Sequence, residues 1–196
     1  MKCLEPFANC HETAENQYRL GREAEDAKNK SRYLIFVTRK LMAGAYAWRG
    51  EDYERSFHEA EAALEMAPLD TETQSTASYY ATNAARLDKG IEWASWAVAH
   101  NVHNDLFVKG NLAWAYYAAG RNDEAVEVFK GLESLLPAQG AAQYARVGRL
   151  EEARAIVTKL LKTGSHSIQT ESCWPFREPL KQKYLDDLRK AGMPER

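Results

Sequence analysis

Of the five histidines in this chain, His100 and His103 stand three residues apart, a spacing at which two imidazoles can share a metal ion. Zinc needs further ligands. The stretch around Asn101 and Val102 is where one unit of chain ends and the next begins, so no carboxylate or third histidine is forced onto the same face. Cys3 and Cys10 pose a similar question, and only His11 lies close to them. Three cysteines, odd in number and near the two ends, suit reduced thiols better than a disulfide framework. His58 and His166 read as solvated surface residues. No Ser, His and acid share a motif for nucleophilic catalysis, and Gly44 and Gly50 belong to a hairpin rather than to a phosphate loop. The expectation is a chain without catalytic residue, metal or cofactor.

Whatever the chain does must then come from the surface its elements build. Its 196 residues suffice for one domain or a short repeat array with a continuous core. The 26 basic and 28 acidic residues leave a net charge of −2, so no global field draws in nucleic acid or a membrane surface. No run approaches the roughly 18 apolar residues of a membrane span, and no secretion signal follows Met1. A cytoplasmic location is expected.

Small residues carry the organisation. Ser56, Ala60, Ala63 and Pro68 are spaced by 4, 3 and 5, as are Gly90, Ala94, Ala97 and Val102, and again Ala125, Phe129, Leu132 and Pro137. Ala153, Val157 and Leu160 follow without a closing proline. Spacings of 4 and 3 share one helical face, so each set is a seam against a neighbouring helix. Small side chains there let backbones approach while larger ones interlock beside the crossing. Matching first helices hold Met42, Ala43 and Tyr46, then Ala77, Ser78 and Ala81, then Leu112, Ala113 and Tyr116. Each ends in a turn, such as Gly120-Arg121-Asn122-Asp123 or Gly148-Arg149-Leu150-Glu151, where glycine ends one helix and acidic residues favour the start of the next. The steps from Ser56 to Gly90, Ala125 and Ala153 are 34, 35 and 28 residues. The first is the tetratricopeptide period, and the last is short by close to two helical turns, which leaves the apolar face within roughly 20° of register.

The stretches "NLAWAYYAAGRNDEAVEVFKGLESLLP" and "ARVGRLEEARAIVTKLL" resemble tetratricopeptide repeats over about residues 35–162. More specifically, "ARLDKGIEWASWAVAHN" with "WPFREPLKQKYLDDLRKAGMPE" is similar to the C-terminal repeat region of bacterial adenylate/guanylate cyclases and related winged-helix regulators. Departures are Val102 at the usual closing proline, Gly90 at a usual alanine, and the shortened fourth unit. Residues 1–34 match no family. The resemblance implies an all-α, right-handed superhelix of about four helix hairpins over 35–162, followed by a linker and capping helix over 163–196. No cyclase domain fits beside the repeats, and no catalytic residue is carried over.

In such arrays the first helices line a concave face. By matching positions the resemblance places Lys40, Trp48, Ser75, Tyr79, Thr82, Asn83, Phe107, Trp114, Tyr117 and Arg146 around that groove. Aromatic and amide groups of this kind suit an extended peptide, although Trp48 and Trp114 have packing between hairpins as the rival role. Only Lys40 stands at a site of the basic clamp used for C-terminal carboxylates, and Gly44 replaces its asparagine.

Repeat arrays need covered ends. Leu180, Tyr184, Leu185 and Leu188 follow Pro179 at helical spacing, which predicts a cap over Leu180 to Arg189, with Trp174, Pro175 and Phe176 anchoring the crossing segment. At the other end Leu20, Ala24 and Ala27 mark a weaker helix over Glu15 to Asn29, preceded by ten loose residues. Trp96 points about 100° beyond Trp93 on its helix and offers a surface for self-association. The expected function is a non-catalytic interaction or regulatory scaffold for a peptide or partner protein. The alternative is a small-ligand-sensing module detached from, or working with, a nucleotide-cyclase-like or transcriptional regulator.

Overall fold

The computed structural model describes residues 32–49, 52–101, 106–164 and 166–196, with side chains of the first helix described over 39–47. The expected helix over Glu15 to Asn29, together with Cys3, Cys10, Val102, His103 and the side chain of Trp48, lies outside these residues. Among the described residues there are ten helices and no strand. They are α1 (Arg32–Arg49), α2 (Tyr53–Met66), α3 (Thr71–Asn83), α4 (Leu87–Ala99), α5 (Leu106–Ala118), α6 (Asn122–Phe129), α7 (Pro137–Arg146), α8 (Leu150–Leu160), α9 (Ile168–Glu171) and α10 (Leu180–Lys190). No helix among them is long and apolar enough to cross a membrane.

Successive helices pack as hairpins, α1 with α2, α3 with α4, α5 with α6 and α7 with α8, and each hairpin also packs on the next. The first helices α1, α3 and α5 touch side by side, and α10 lies on α7. The seam residues ahead of the closing position are buried, namely Ser56, Ala60 and Ala63, Gly90, Ala94 and Ala97, Ala125, Phe129 and Leu132, and Ala153, Val157 and Leu160, whereas the closing Pro68 is exposed and Pro137 half-buried. Asp52 caps α2 by accepting from Arg55 N at 2.9 Å, and Asp70 caps α3 by accepting from Thr73 N at 2.7 Å. Each satisfies a backbone donor that the first helical turn leaves idle.

The turns repeat to the atom. Ala85, Gly120 and Gly148 each take a left-handed conformation, with φ of 62°, 78° and 79°. The following arginine N–H then reaches back to a carbonyl five residues earlier: Arg86 to Ala81 at 2.8 Å, Arg121 to Tyr116 at 2.9 Å, Arg149 to Tyr144 at 2.9 Å. This is the closing bond of a Schellman turn. Arg121 and Arg149 also cover the rings of Tyr116 and Tyr144, at 4.5 Å in both cases. The sequence alone places the turn of the second repeat unit on Arg86-Leu87-Asp88; the reversal itself falls on Ala85, whose side chain gives no signal of a left-handed backbone.

Gly90 marks the tightest crossing. A Cβ there would stand 2.4 Å from Thr82 Oγ1 and 3.3 Å from the Ser78 carbonyl, and Thr82 Oγ1 is itself held on that carbonyl at 2.8 Å. Gly90→Ala gains about 1 kcal/mol of helix propensity but forces α3 and α4 apart, and the overpacking outweighs it with a net loss of about 1–2 kcal/mol. Urea unfolding measures this, and adding Thr82→Ala should recover most of the loss.

The largest apolar cluster lies toward the C-terminal end. It unites Trp114 and Tyr117 of α5, Ala125 and Val126 of α6, Ala141 and Tyr144 of α7, and Ile156 and Val157 of α8 with Phe176, Tyr184, Leu185 and Leu188. The first two hairpins hold smaller clusters around Ala43, Ala60, Leu64 and Ala77, and around Phe57, Ala81 and Ala84.

Candidate functional site

The C-terminal segment Trp174 to Lys190 lies against Trp114 and Tyr117, two of the residues that the tetratricopeptide resemblance implies for a groove. Phe176 and Tyr184 meet Trp114 at ring distances of 4.4 and 5.7 Å, and Tyr117 stacks on the indole at 5.4 Å. The apolar stripe of α10, Leu180, Tyr184, Leu185 and Leu188, follows helical spacing. The helix packs on α7 and also touches Trp114 and Tyr117 of α5.

Polar groups fix its register. Asp187, fully buried, accepts at Oδ2 from Tyr117 Oη at 2.7 Å and from Arg146 Nε at 2.6 Å. Its Oδ1 accepts from Lys190 Nζ at 3.0 Å. Lys183 Nζ donates to the Tyr117 carbonyl and sits 4.4 Å from the centre of that ring. Burial, followed by the adjacent Asp187 carboxylate, raises the Tyr117 phenol far above its ordinary value. Burial, followed by the nearby Arg146 charge, lowers the Lys183 ammonium. Arg177 NH1 donates to the Ala84 carbonyl at 3.2 Å and lies 3.6 Å from Glu54, tying the segment to α3 and α2.

A second buried carboxylate holds α10 through Tyr184. Glu171 accepts from Tyr184 Oη at 2.7 Å, with His166 Nδ1 3.8 Å from its other oxygen. Burial raises the Glu171 carboxyl, opposed in part by the Tyr184 hydrogen bond and by His166. A carboxyl raised on folding makes the native state hold its proton longer, so this group's contribution falls as pH rises above its ordinary 4.5 toward the folded value, and levels beyond it. Glu171→Gln keeps an acceptor for Tyr184 and removes that dependence. Urea unfolding across a pH series should show the variant gaining stability relative to the parent as pH climbs above 4.5; a constant difference would refute the assignment.

The residues expected around a groove separate into groups. Trp114 and Tyr117 are fully buried, Tyr79 packs against their cluster, and Arg146 joins it through Asp187. Ser75 is buried and accepts from Asn111 Nδ2, at 2.9 Å on Oγ and 3.1 Å on its carbonyl, joining α3 to α5. Thr82 and Asn83 line a separate cavity of about 290 Å³ with Leu87, Ala118, Arg177 and Leu180 among its other walls. Lys40 pairs with Glu72 at 2.8 Å, and Phe107 is 57 % exposed; neither belongs to the cluster or the cavity. Trp96 is half-buried and stacks on His100 with ring centres 4.0 Å apart.

Asn83 stands out among these. It is 1 % exposed, and neither its amide nitrogen nor its oxygen makes a hydrogen bond. The amide acts on the Tyr79 phenol one turn away without closing a bond of proper geometry. Leaving a buried polar group unpaired costs about 1–3 kcal/mol, so this position is held at the expense of stability. Asp187, Glu171, Lys183 and Arg177 were not legible as site residues: each reads as ordinary surface charge, and only the partner helix explains it. Among the described residues no three His, Cys, Asp or Glu side chains converge as metal ligands. Compared with protein-family models the chain matches none, and no curated protein matches it in sequence.

Proposed function

We propose that this chain is a non-catalytic, tetratricopeptide-like scaffold that binds a peptide or partner protein along the face of its first helices, in the cytoplasm. The observation that carries the reading is that this face already grips polypeptide: the chain's own segment from Trp174 to Lys190 lies on Trp114 and Tyr117. Side-by-side first helices α1, α3 and α5, with seams and turns repeating at near-tetratricopeptide intervals, support a superhelical strip running beyond that segment. A partner would follow the strip where Lys40, Tyr79 and Phe107 retain exposed surface, aromatic groups supplying contact area at low entropic cost.

The test uses residues outside the packed cluster. Lys40→Gln combined with Phe107→Ser should abolish capture of the partner from lysate while lowering folding stability by no more than about 1 kcal/mol, since the Lys40–Glu72 ion pair lies at the surface. An unchanged captured set would count against this face. Self-association through Trp96 belongs to the same proposal, and sedimentation of Trp96→Ser beside the parent decides it, since equal monomer masses exclude the contact. A second reading, a ligand-sensing module working with a nucleotide-cyclase-like or transcriptional regulator, is favoured by the cavity at Asn83.

A further inference from the structure

Two carboxylates are buried toward the C-terminal end, and only one of them is matched by charge. Asp187 has Arg146 at 2.6 Å and Lys190 at 3.0 Å. Among the described residues no lysine or arginine pairs with Glu171: Oε2 accepts from Tyr184 Oη at 2.7 Å, the Trp174 indole also acts on the carboxylate, and His166 Nδ1 stands 3.8 Å from Oε1, beyond hydrogen-bond reach. The group is not sealed in. Its side chain keeps 7 % of its surface accessible, and it lines a cavity of about 170 Å³ together with His166, Trp174 and Tyr184, the same three residues that surround its carboxylate. The other walls are mainly apolar, made by Leu135, Leu136, Pro137, Leu160 and Phe176, and among the described residues no lysine or arginine joins them. A wider hollow of about 480 Å³ beside it holds both Glu133 and Lys159 in its lining, so neither sign of charge prevails there.

We propose that the cavity beside Glu171 binds a small methylated ammonium ion, its charge held by the carboxylate and its methyl groups by the Trp174 ring and the apolar walls. Taking a carboxylate out of water without an opposite charge is costly, and burial raises the Glu171 carboxyl. A bound cation supplies what is missing. Trp174 is 36 % exposed, and its ring runs nearly parallel to that of Phe176, at 11° with centres 6.2 Å apart, so an aromatic face stands beside the carboxylate. Cations are drawn to the negative face of such rings, most strongly to that of an indole. Methylation is selected by what the walls lack. A primary ammonium brings three N–H donors that each need an acceptor, and beyond Glu171 and Gln139 the lining meets them mainly with carbon. Anions are repelled by Glu171, and a neutral molecule leaves it unmatched. The cavity is smaller than the usual site for a drug-sized molecule, so the occupant is a single small cation. This inference does not rest on the partner-binding reading, whose test residues Lys40 and Phe107 lie outside the cavity lining.

The experiment titrates the full chain with choline chloride and follows the indole N–H signals by NMR, the Trp174 signal being the one that Trp174→Leu removes. The alcohol in which carbon replaces the choline nitrogen serves as the neutral isostere, ethanolamine as the unmethylated ammonium, and sodium chloride as the control for ionic strength. Saturable binding of choline is expected with a dissociation constant on the order of 1 mM, as suits so small a ligand, with a shift at Trp174 and at least tenfold weaker binding of the neutral alcohol and of ethanolamine. Glu171→Gln keeps an acceptor for Tyr184 but removes the charge, and should weaken choline binding at least tenfold. Trp174→Leu keeps an apolar wall but removes the aromatic face, and should weaken it about fivefold. The comparison of choline with its neutral isostere is made on the parent protein, so it decides the question even where a variant folds poorly. The proposal is overturned if the neutral alcohol binds as tightly as choline, if sodium chloride reproduces the response or the response does not saturate, or if Glu171→Gln binds choline as the parent does, which would leave Glu171 as a structural partner of Tyr184 alone.

Discussion

Trp114→Ala should lower the free energy of unfolding by about 3–5 kcal/mol, the range for removing a buried aromatic side chain. A domain of this size has only about 5–15 kcal/mol to lose, so this substitution brings the chain close to the limit of folding. The indole is 1 % exposed and meets Tyr117 from its own helix, Phe176 from the crossing segment and Tyr184 from α10. Alanine leaves a void that three separately anchored parts of the chain would have to close together. Trp114→Phe separates packing from polarity. The indole nitrogen is buried without a partner, so phenylalanine loses contact area but also removes an idle donor, and the expected loss falls to about 1–2 kcal/mol. Urea unfolding distinguishes the two. A loss below about 0.5 kcal/mol for the alanine variant would mean that Trp114 is a surface group, and the segment from Trp174 to Lys190 would then not be seated on it.

What could be read in the sequence follows from the range of each signal. Seams of small residues are local, because spacings of 4 and 3 define one face whatever lies opposite, and Ala60, Gly90, Ala94, Ala125 and Ala153 are all buried. The helix after Pro179 was equally legible from Leu180, Tyr184, Leu185 and Leu188. Its second contact was not, because an apolar stripe states that a face is buried and leaves open against what. Trp114 and Tyr117 share that ambiguity: large aromatic residues on a first helix suit a groove and a core alike, and their burial under α10 depends on a segment far along the chain. Asp187 was the least legible of all. One position before Leu188 on a charged helix, it has the pattern of a solvated residue, and its burial depends on Tyr117 and Arg146, respectively 70 and 41 residues away in the chain.

That dependence makes Asp187→Ala the other large effect. Removing one member of a buried charge pair usually costs about 3–5 kcal/mol, because the remaining charge is stranded. Here Arg146 keeps 25 % of its side chain exposed and can turn to water, which brings the expected loss to about 2–3 kcal/mol. Tyr117 has no such exit, since its hydroxyl is enclosed under α10 with Asp187 as its partner. Tyr117→Phe in the parent removes one donor of three and should cost about 1 kcal/mol, but in the Asp187→Ala background it should cost nothing or restore stability. A double-mutant cycle should therefore give a coupling of about 1–2 kcal/mol, where independent sites agree within about 0.5 kcal/mol. Amide hydrogen exchange supplies the spatial half of the argument. Asp187 holds α10 to α5 and α7, so its loss should speed exchange in α10 first, while α2 and α4, which it does not touch, keep their protection. Equal acceleration through all the helices would instead mean that α10 and the hairpins open together, as one cooperative body with no segment that can be loosened separately.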